Sequence, residues 1–264
     1  MFRNTSEYIS RNLIKFEFLD RIADTAPNSD IALYDTLKKV GMDPGDAKNT
    51  LFDKEPPPFV YINGYAGVGK FTIAKSLVPL LPQPTKLVHN HLLIEPVVAI
   101  FGRTSSEYQP LRKSVRQLML STICNSEELN SSILVFTDQQ SSSPLGSSVA
   151  MEYHAAALKR KSRFFSIRLQ CKEDEHLRRA TSEDRLRSAF TKLTDESLIK
   201  RMRNNEDIYK FSGDDELTID VTDLSPNEAA QRISEFVQSR LAISSDRRGT
   251  QFDPLPDHDI NLLY

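Results

Sequence analysis

The residues with the clearest chemistry lie between Phe59 and Thr72. A short apolar run, Phe59-Val-Tyr-Ile, leads through Asn63 into Gly64-Tyr65-Ala66-Gly67-Val68-Gly69-Lys70-Phe71-Thr72. Ile73, Leu77 and Leu80 or Leu81 then recur at helical spacing. Glycines at 64, 67 and 69 let backbone N–H groups turn inward with no Cβ in the way, and the helix that follows points its positive end at the same spot. Lys70 adds a full charge, so the cradle suits a chain of phosphates. The spacing Gly64-x4-Gly69-Lys70 matches the P-loop pattern with one departure. Phe71 stands where a Ser or Thr hydroxyl would meet a metal, and the hydroxyl comes one residue later, at Thr72. A hydroxyl displaced by one position suits a phosphate oxygen better than a metal. The plainer reading is a glycine-rich turn with an incidental lysine, but strand, glycines, lysine and helix all fall in the required order.

A phosphate cradle needs partners, and four segments offer them. Ser132-Ile-Leu-Val-Phe-Thr-Asp138 reads as a buried strand with a carboxylate at its end, where Asp138 could hold Mg²⁺ or simply open a turn. The polar run Gln139–Ser148 then either contacts substrate or links passively into the next helix. Val88-His89-Asn90-His91 ends another strand: Asn90 could orient a substrate group, and His91 or Glu95 could take a proton near neutral pH. Ser106-Glu-Tyr-Gln109 reads as a capping box opening a helix with Leu111, Val115, Leu118 and Thr122 on its apolar face. Arg112 and Arg116 share the neighbouring face, as an anion clamp or as a solvated stripe. Finally, Arg178, Arg179, Arg185, Arg187, Lys192, Lys200, Arg201 and Arg203 outnumber Glu183, Asp184, Asp195 and Glu196 in one stretch. Arg178, Arg179 and Arg185 could close over a transferring phosphate, or the whole stretch could be an exposed helix pair whose charges solvate one another.

These residues need a scaffold that brings them together. Apolar runs at 59–62, 86–89, 133–136, 164–169 and 217–221, each followed by a loop and a helical pattern, predict a parallel sheet with crossover helices in an α/β, three-layer domain over 57–241. Residues 1–55 suggest a small helical N-terminal appendage, broken at Gly41–Gly45 and closed by Pro56-Pro57-Pro58, and 242–264 suggest a flexible polar tail. A net charge of −2 excludes a surface built wholly for nucleic acid or acidic membrane. Cys124 and Cys171 form neither a disulfide framework nor a zinc pattern. No apolar leader or long apolar run is present, and a cytoplasmic protein is the expectation.

The order of parts resembles the P-loop kinases related to adenylate kinase, shikimate kinase and chloramphenicol phosphotransferase, over roughly residues 57–240. The resemblance rests on Gly64–Thr72, on Asp138 after the third strand, and on the arginine-bearing segment from Arg178. It implies strand order 2-3-1-4-5, ATP held on residues 64–72, Mg²⁺ at Asp138, and a lid at about 173–205. Transfer would go to a small-molecule acceptor beside Asn90, Arg112 and Arg116, with Lys70, His91, Arg178 and Arg185 catalytic. Two departures matter. Asp138-Gln-Gln-Ser replaces the Asp-Gly-Phe-Pro-Arg run of adenylate kinases, and Asn90-His91 stands where a carboxylate is expected. A nucleotide-binding regulator or pseudokinase, with 1–55 as a docking module for a protein partner, is therefore the alternative. An RNA-end kinase is disfavoured because the basic segment lacks interleaved aromatics.

Overall fold

The computed structural model describes residues 56–187 and 192–249. Its sheet contains β1 Phe59–Asn63, β2 Thr85–His89, β3 Ile133–Asp138, β4 Phe164–Gln170 and β5 Glu216–Asp220. The strands pair in parallel in the order 2-3-1-4-5, with Asn63 level with Asp138 on one side and Arg168 on the other. Between and after them run α1 Lys70–Leu77, α2 His91–Val98, α3 Tyr108–Cys124, α4 Pro144–Lys159, α5 Glu173–Ala180, α6 Glu183–Leu186, α7 Glu196–Asn205 and α8 Pro226–Gly249. This is the expected three-layer arrangement.

The layers follow from the two-residue period of the strands. Val60, Ile62, Val135 and Ile167 face one way, onto Ile73, Ala74 and Leu77 of α1 and Ala229, Ala230, Ile233 and Val237 of α8. Phe59, Tyr61, Leu134 and Phe136 face the other way, onto Leu120 and Ile123 of α3 and Val149, Tyr153, Ala156 and Ala157 of α4. Every residue of central β1 is buried, whereas edge strand β2 is only partly covered. Each large side chain so buried contributes about 1.5–3 kcal/mol. The core turns polar only at its carboxyl edge, where Asn63, Thr137, Asp138 and Gln140 are all buried. Ligands of open α/β sheets bind at that edge.

Four local expectations need correction. On α3 the buried positions are Tyr108, Arg116, Leu120 and Ile123, and Leu118 is 70% exposed. The helix is rotated because the Arg116 guanidinium finds Glu152 of α4, Nε to Oε2 2.7 Å, so a charged residue can sit on the inward face. The capping box does not form: Glu107 is the N-cap, without a side-chain cap, and its N–H donates to Ser105 Oγ. α8 runs to Gly249, past the expected end near Leu241. The polar run after Asp138 becomes a helix start, with Ser143 Oγ accepting from the Gly146 N–H and Pro144 in the first turn of α4. The expected appendage at 1–55 and the tail beyond 249 lie outside the described residues. Cys124 and Cys171 are free thiols. Among the described residues no helix is long and apolar enough to cross a membrane.

Candidate functional site

The phosphate loop starts from a fixed point. Asn63 Oδ1 accepts from the Gly64 N–H at 3.0 Å and from the Gln140 N–H at 2.8 Å, while its Nδ2 donates to the Gln140 carbonyl at 2.9 Å. One side chain therefore ties the start of the loop to the chain leaving β3. Beyond it Gly67 (φ 96°) and Gly69 (φ 107°) adopt left-handed backbone, which a Cβ would strain. Gly69 caps α1, whose first N–H groups have no partner inside the helix.

Lys70 opens α1 and bends back, its Nζ donating to the Gly64 and Tyr65 carbonyls at 2.6 and 2.7 Å. Burial first, then the nearby Arg185 charge, lower its pKa to about 7, with Asp138 acting in the opposite sense. A phosphate beside Nζ favours the charged amine. At about pH 8 the free protein thus carries mostly neutral Lys70, and an arriving polyphosphate restores the proton. Polyphosphate binding is expected to take up close to one proton there and almost none below about pH 6, with affinity falling as pH rises between those limits. Titration calorimetry in buffers of different ionisation enthalpy reads that uptake directly.

A cavity of about 590 Å³ opens on this loop. Ala66, Gly67, Gly69, Lys70, Phe71 and Thr72 line it, and with them Asn90, His91, Arg178 and Arg185. Four expected groups from two distant stretches of the sequence therefore meet the loop at one opening. Arg103, Arg179 and Lys192 add further positive charge to the wall, while Leu224 and Pro226 add an apolar stretch. Arg112, Arg116 and Asp138 do not line it. Arg116 is occupied by Glu152, and Arg112 lies 3.8 Å from Asp138.

Asp138 is placed differently from its expected metal-holding position. Strand alternation turns it to the α3–α4 side, away from α1. It is 1% exposed, its Oδ1 accepting from the Gln139 N–H and its Oδ2 from the Gln140 side chain, both at 2.8 Å. The Tyr153 phenol also bonds to it, and burial with that carboxylate nearby pushes the phenol well above its ordinary pKa. Glu175, the carboxylate that does line the cavity, is bound bidentately by Arg178 and again by Arg179. With Phe71 in the hydroxyl position, neither Asp138 nor Glu175 presents an uncommitted carboxylate to a metal at the loop. Among the described residues no three His, Cys, Asp or Glu side chains converge as metal ligands.

At the end of β2, Asn90 is the N-cap residue of α2 and His91 its first residue. His91 Nδ1 lies 3.2 Å from Glu95 Oε1, one turn on. A carboxylate at Nδ1 selects the tautomer with the proton there, leaving the basic lone pair on Nε2. Burial, aided by Lys192 and Arg185, pulls the imidazole below its usual pKa, while the Glu95 bond and charge oppose it. Phe71 packs edge-on against His89 at 4.7 Å, so the aromatic that replaces the loop hydroxyl braces the end of β2.

The basic segment is of two kinds. Arg187 with Glu183 and Lys200 with Glu196 are exposed helical pairs, which contribute little. Arg178 is also exposed, at 71%, and paired with Glu175. Arg185 is different: its Nε and Nη2 donate to the Leu193 carbonyl at 3.2 and 3.1 Å, which fixes its guanidinium at the cavity wall. Arg179 Nη2 donates to the Val221 and Thr222 carbonyls, tying α5 to the loop that carries Leu224 and leads into Pro226 of α8.

No protein-family model matches the chain, and no curated protein matches it in sequence. Solved structures do match. A gluconokinase from Sinorhizobium meliloti 1021 aligns over 74% of this chain and 99% of its own at 18% identity, with a TM-score of 0.48. A thymidylate kinase from Candida albicans aligns over 70% and 93% at 13% identity, TM-score 0.48. A candidate kinase from Chloroflexus aurantiacus aligns over 70% and 98% at 18% identity, TM-score 0.50. With the 2-3-1-4-5 sheet and the Gly64–Thr72 loop between β1 and α1, the likeness to the Chloroflexus structure decides the architecture. The fold is that of a P-loop kinase.

Two residues around the P-loop escaped sequence reasoning. His176 is wholly buried, and its Nε2 lies 2.7 Å from the Ala66 carbonyl. Ala180 packs so close to Gly67 that a Cβ there would lie 2.6 Å from the Ala180 Cβ. The signal was the (i, i+4) spacing of His176 and Ala180, the inward stripe of a helix whose other residues are mostly charged. α5 was expected to belong to a moving lid, but its inward face is packed on the P-loop.

Proposed function

We propose that the chain binds ATP and transfers its γ-phosphoryl group to a hydroxyl of a small-molecule acceptor. One observation carries this: the cradle of Gly67, Gly69 and Lys70 opens into the same cavity as His91, whose Nδ1 is held by Glu95. The glycine loop and the start of α1 would hold the β- and γ-phosphates, with Thr72 on a phosphate oxygen. The base would lie toward Leu224 and Pro226, beside Arg178. On the other side the acceptor would meet Asn90, His91 and Arg103. Its oxygen attacks the γ-phosphorus, the bond from that phosphorus to the β,γ-bridging oxygen breaks, and ADP leaves with that electron pair. The acceptor proton passes to His91 Nε2, and the Nδ1–H···Glu95 bond stabilises the imidazolium formed. Lys70 and Arg185 would stabilise the charge on the transferring oxygens, as positioning and electrostatics dominate this chemistry.

The test is a panel of hydroxyl-bearing metabolites incubated with ATP and protein, with phosphorylated product detected by mass. His91→Gln is expected to lower kcat by about 10²–10⁴-fold with little effect on ATP affinity. Glu95→Gln should cost less. The wild-type rate should rise with pH as His91 loses its proton, at a pH below the usual imidazole value, and level off above it. A rate independent of pH from 5 to 8 would remove His91 as base.

The second reading is a nucleotide-binding regulator without transfer activity. It is favoured by one feature: no carboxylate unpaired with arginine is presented to the phosphates from the described lining. Tight ATP binding with no product across the panel and no hydrolysis would select it.

A further inference from the structure

A loop that commits its N–H groups to a ligand leaves its carbonyls to be satisfied elsewhere, and a carbonyl shielded from water needs a donor. Lys70 supplies the Gly64 and Tyr65 carbonyls. The Ala66 carbonyl is supplied from outside the loop, by His176 of α5. With Nε2 donating, Nδ1 of the same ring is the acceptor, and Arg203 Nη1 of α7 faces it at 3.4 Å. Arg203 is itself held: its Nη2 donates to the Cys171 carbonyl at 2.8 Å and its guanidinium lies over the Tyr65 ring, 5.7 Å from the centroid. The Tyr65 hydroxyl donates to the Glu206 carbonyl, just past α7, at 2.7 Å. The next residues join the chain leaving β3, through Asp207 O with Ser142 N–H and Tyr209 N–H with Gln140 O.

We propose that His176 and Arg203 are positioning residues of the P-loop, fastening the return arm of the arginine segment to the outer side of the phosphate cradle. The inference rests on the nucleotide reading of the loop and adds a mechanical element to it. A polyphosphate draws the Lys70 charge away from the Gly64 and Tyr65 carbonyls, and the His176 bond then bears a larger share of the loop's shape. His176 touches neither phosphate nor acceptor in this scheme. It acts through Ala66, and α7 acts through Arg203 and Glu206. Loop geometry and the seating of α7 thereby become one equilibrium, so a bound nucleotide should quiet α7 although α7 does not line the cavity.

The experiment uses the full chain. Hydrogen exchange without nucleotide reads residues 64–70 and 203–209, and calorimetry reads ATP affinity. His176→Phe keeps a ring and loses both nitrogens; His176→Gln restores a donor near the Nε2 position; Arg203→Met keeps length and loses the charge. We expect His176→Phe to speed exchange of both segments at least tenfold and to weaken ATP at least tenfold, with exchange of β1 and β3 unchanged. His176→Gln should restore most of both, and Arg203→Met should show the same pattern more weakly. Combining Arg203→Met with His176→Phe should add little, as expected for one network. If His176→Phe loosens the whole sheet, Arg203→Met decides. Unchanged loop exchange in that variant, or in both, overturns the proposal whatever the affinities. If wild-type protein binds no ATP the nucleotide reading fails, while loop exchange still decides the positioning role.

Discussion

Lys70→Ala is expected to weaken ATP binding at least tenfold and to slow phosphoryl transfer by a further two to three orders of magnitude. The first effect follows from removing a cation at the inner wall of the cradle, where charge-assisted hydrogen bonds contribute about 1.5–3 kcal/mol. The second follows from the growth of charge on the transferring oxygens, since removing one preorganised donor costs about 10²–10³ in rate. Calorimetry gives the affinity, and single-turnover product formation gives the rate. Stability should change little or rise, because a lysine held at a pKa of about 7 is more easily charged in the unfolded chain. Folding therefore releases a proton between the two values, and the cost, full below about pH 7, shrinks as pH rises and is gone above the ordinary lysine value. In the alanine variant the cost is absent, and so is the proton uptake on binding. A variant that kept ATP affinity and proton uptake would show that the nucleotide does not lie against Lys70.

Gly67→Ala is the second large effect and acts on the fold and the site together. The added Cβ would meet the Ala180 Cβ at 2.6 Å and its Cα at 2.8 Å, on backbone at φ 96°. The left-handed region costs a Cβ-bearing residue roughly 1–2 kcal/mol, and forcing a methyl into a packed contact adds about 1–3 kcal/mol. For a domain of this size the sum lowers Tm by about 4–20 °C. Relief would require α5 to retreat, which would break the His176 bond to the loop, so ATP affinity should fall as well. Gly213→Ala is the control, since a Cβ there meets nothing within 4 Å. Thermal unfolding of the two variants side by side measures the difference. Equal melting temperatures would mean that the loop and α5 are not packed in this way.

Much of this architecture was legible in the residue pattern. Short β-rich runs separated by helical spacing gave the α/β alternation, and Gly64–Thr72 located the cavity. The strand order came from resemblance rather than periodicity, because pattern alone cannot say which strands are neighbours. The failures share a physical origin. Sequence reading assigns charged residues to solvent, and this fold places several inside. Arg116 is buried because Glu152 lies on the neighbouring helix, and that pairing spans 36 residues. Asp138 was recognised as ending a strand, but its side was set by the alternation that also buries Leu134 and Phe136. Counted from those two residues, the pattern already turned Asp138 away from α1. Thr137, of the opposite parity, is the β3 residue that lines the cavity. His176 looked like one more polar residue in Glu173-Asp-Glu-His-Leu-Arg-Arg, and only its spacing to Ala180 marked it as inward. His91 and Glu95 are each legible as proton acceptors, yet their partnership depends on the helix beginning at His91.

The clamp at Asn63 has a consequence for chemical ageing. An asparagine followed by glycine is the dipeptide most prone to lose its side-chain amide, because the next backbone nitrogen can attack the side-chain carbonyl carbon and close a succinimide ring. Here the N–H of Gly64 is bonded to Asn63 Oδ1, and the side chain is 1% exposed with its amide nitrogen bonded to Gln140. The attack needs the Asn63 side chain to rotate out of all three bonds, and the buried end of β1 resists that rotation. An aspartate at 63 could no longer donate to the Gln140 carbonyl and would place a negative charge under the phosphate cradle. The lifetime of the site during storage is thus set by how often the end of β1 opens, and any ligand that keeps the loop closed should preserve it.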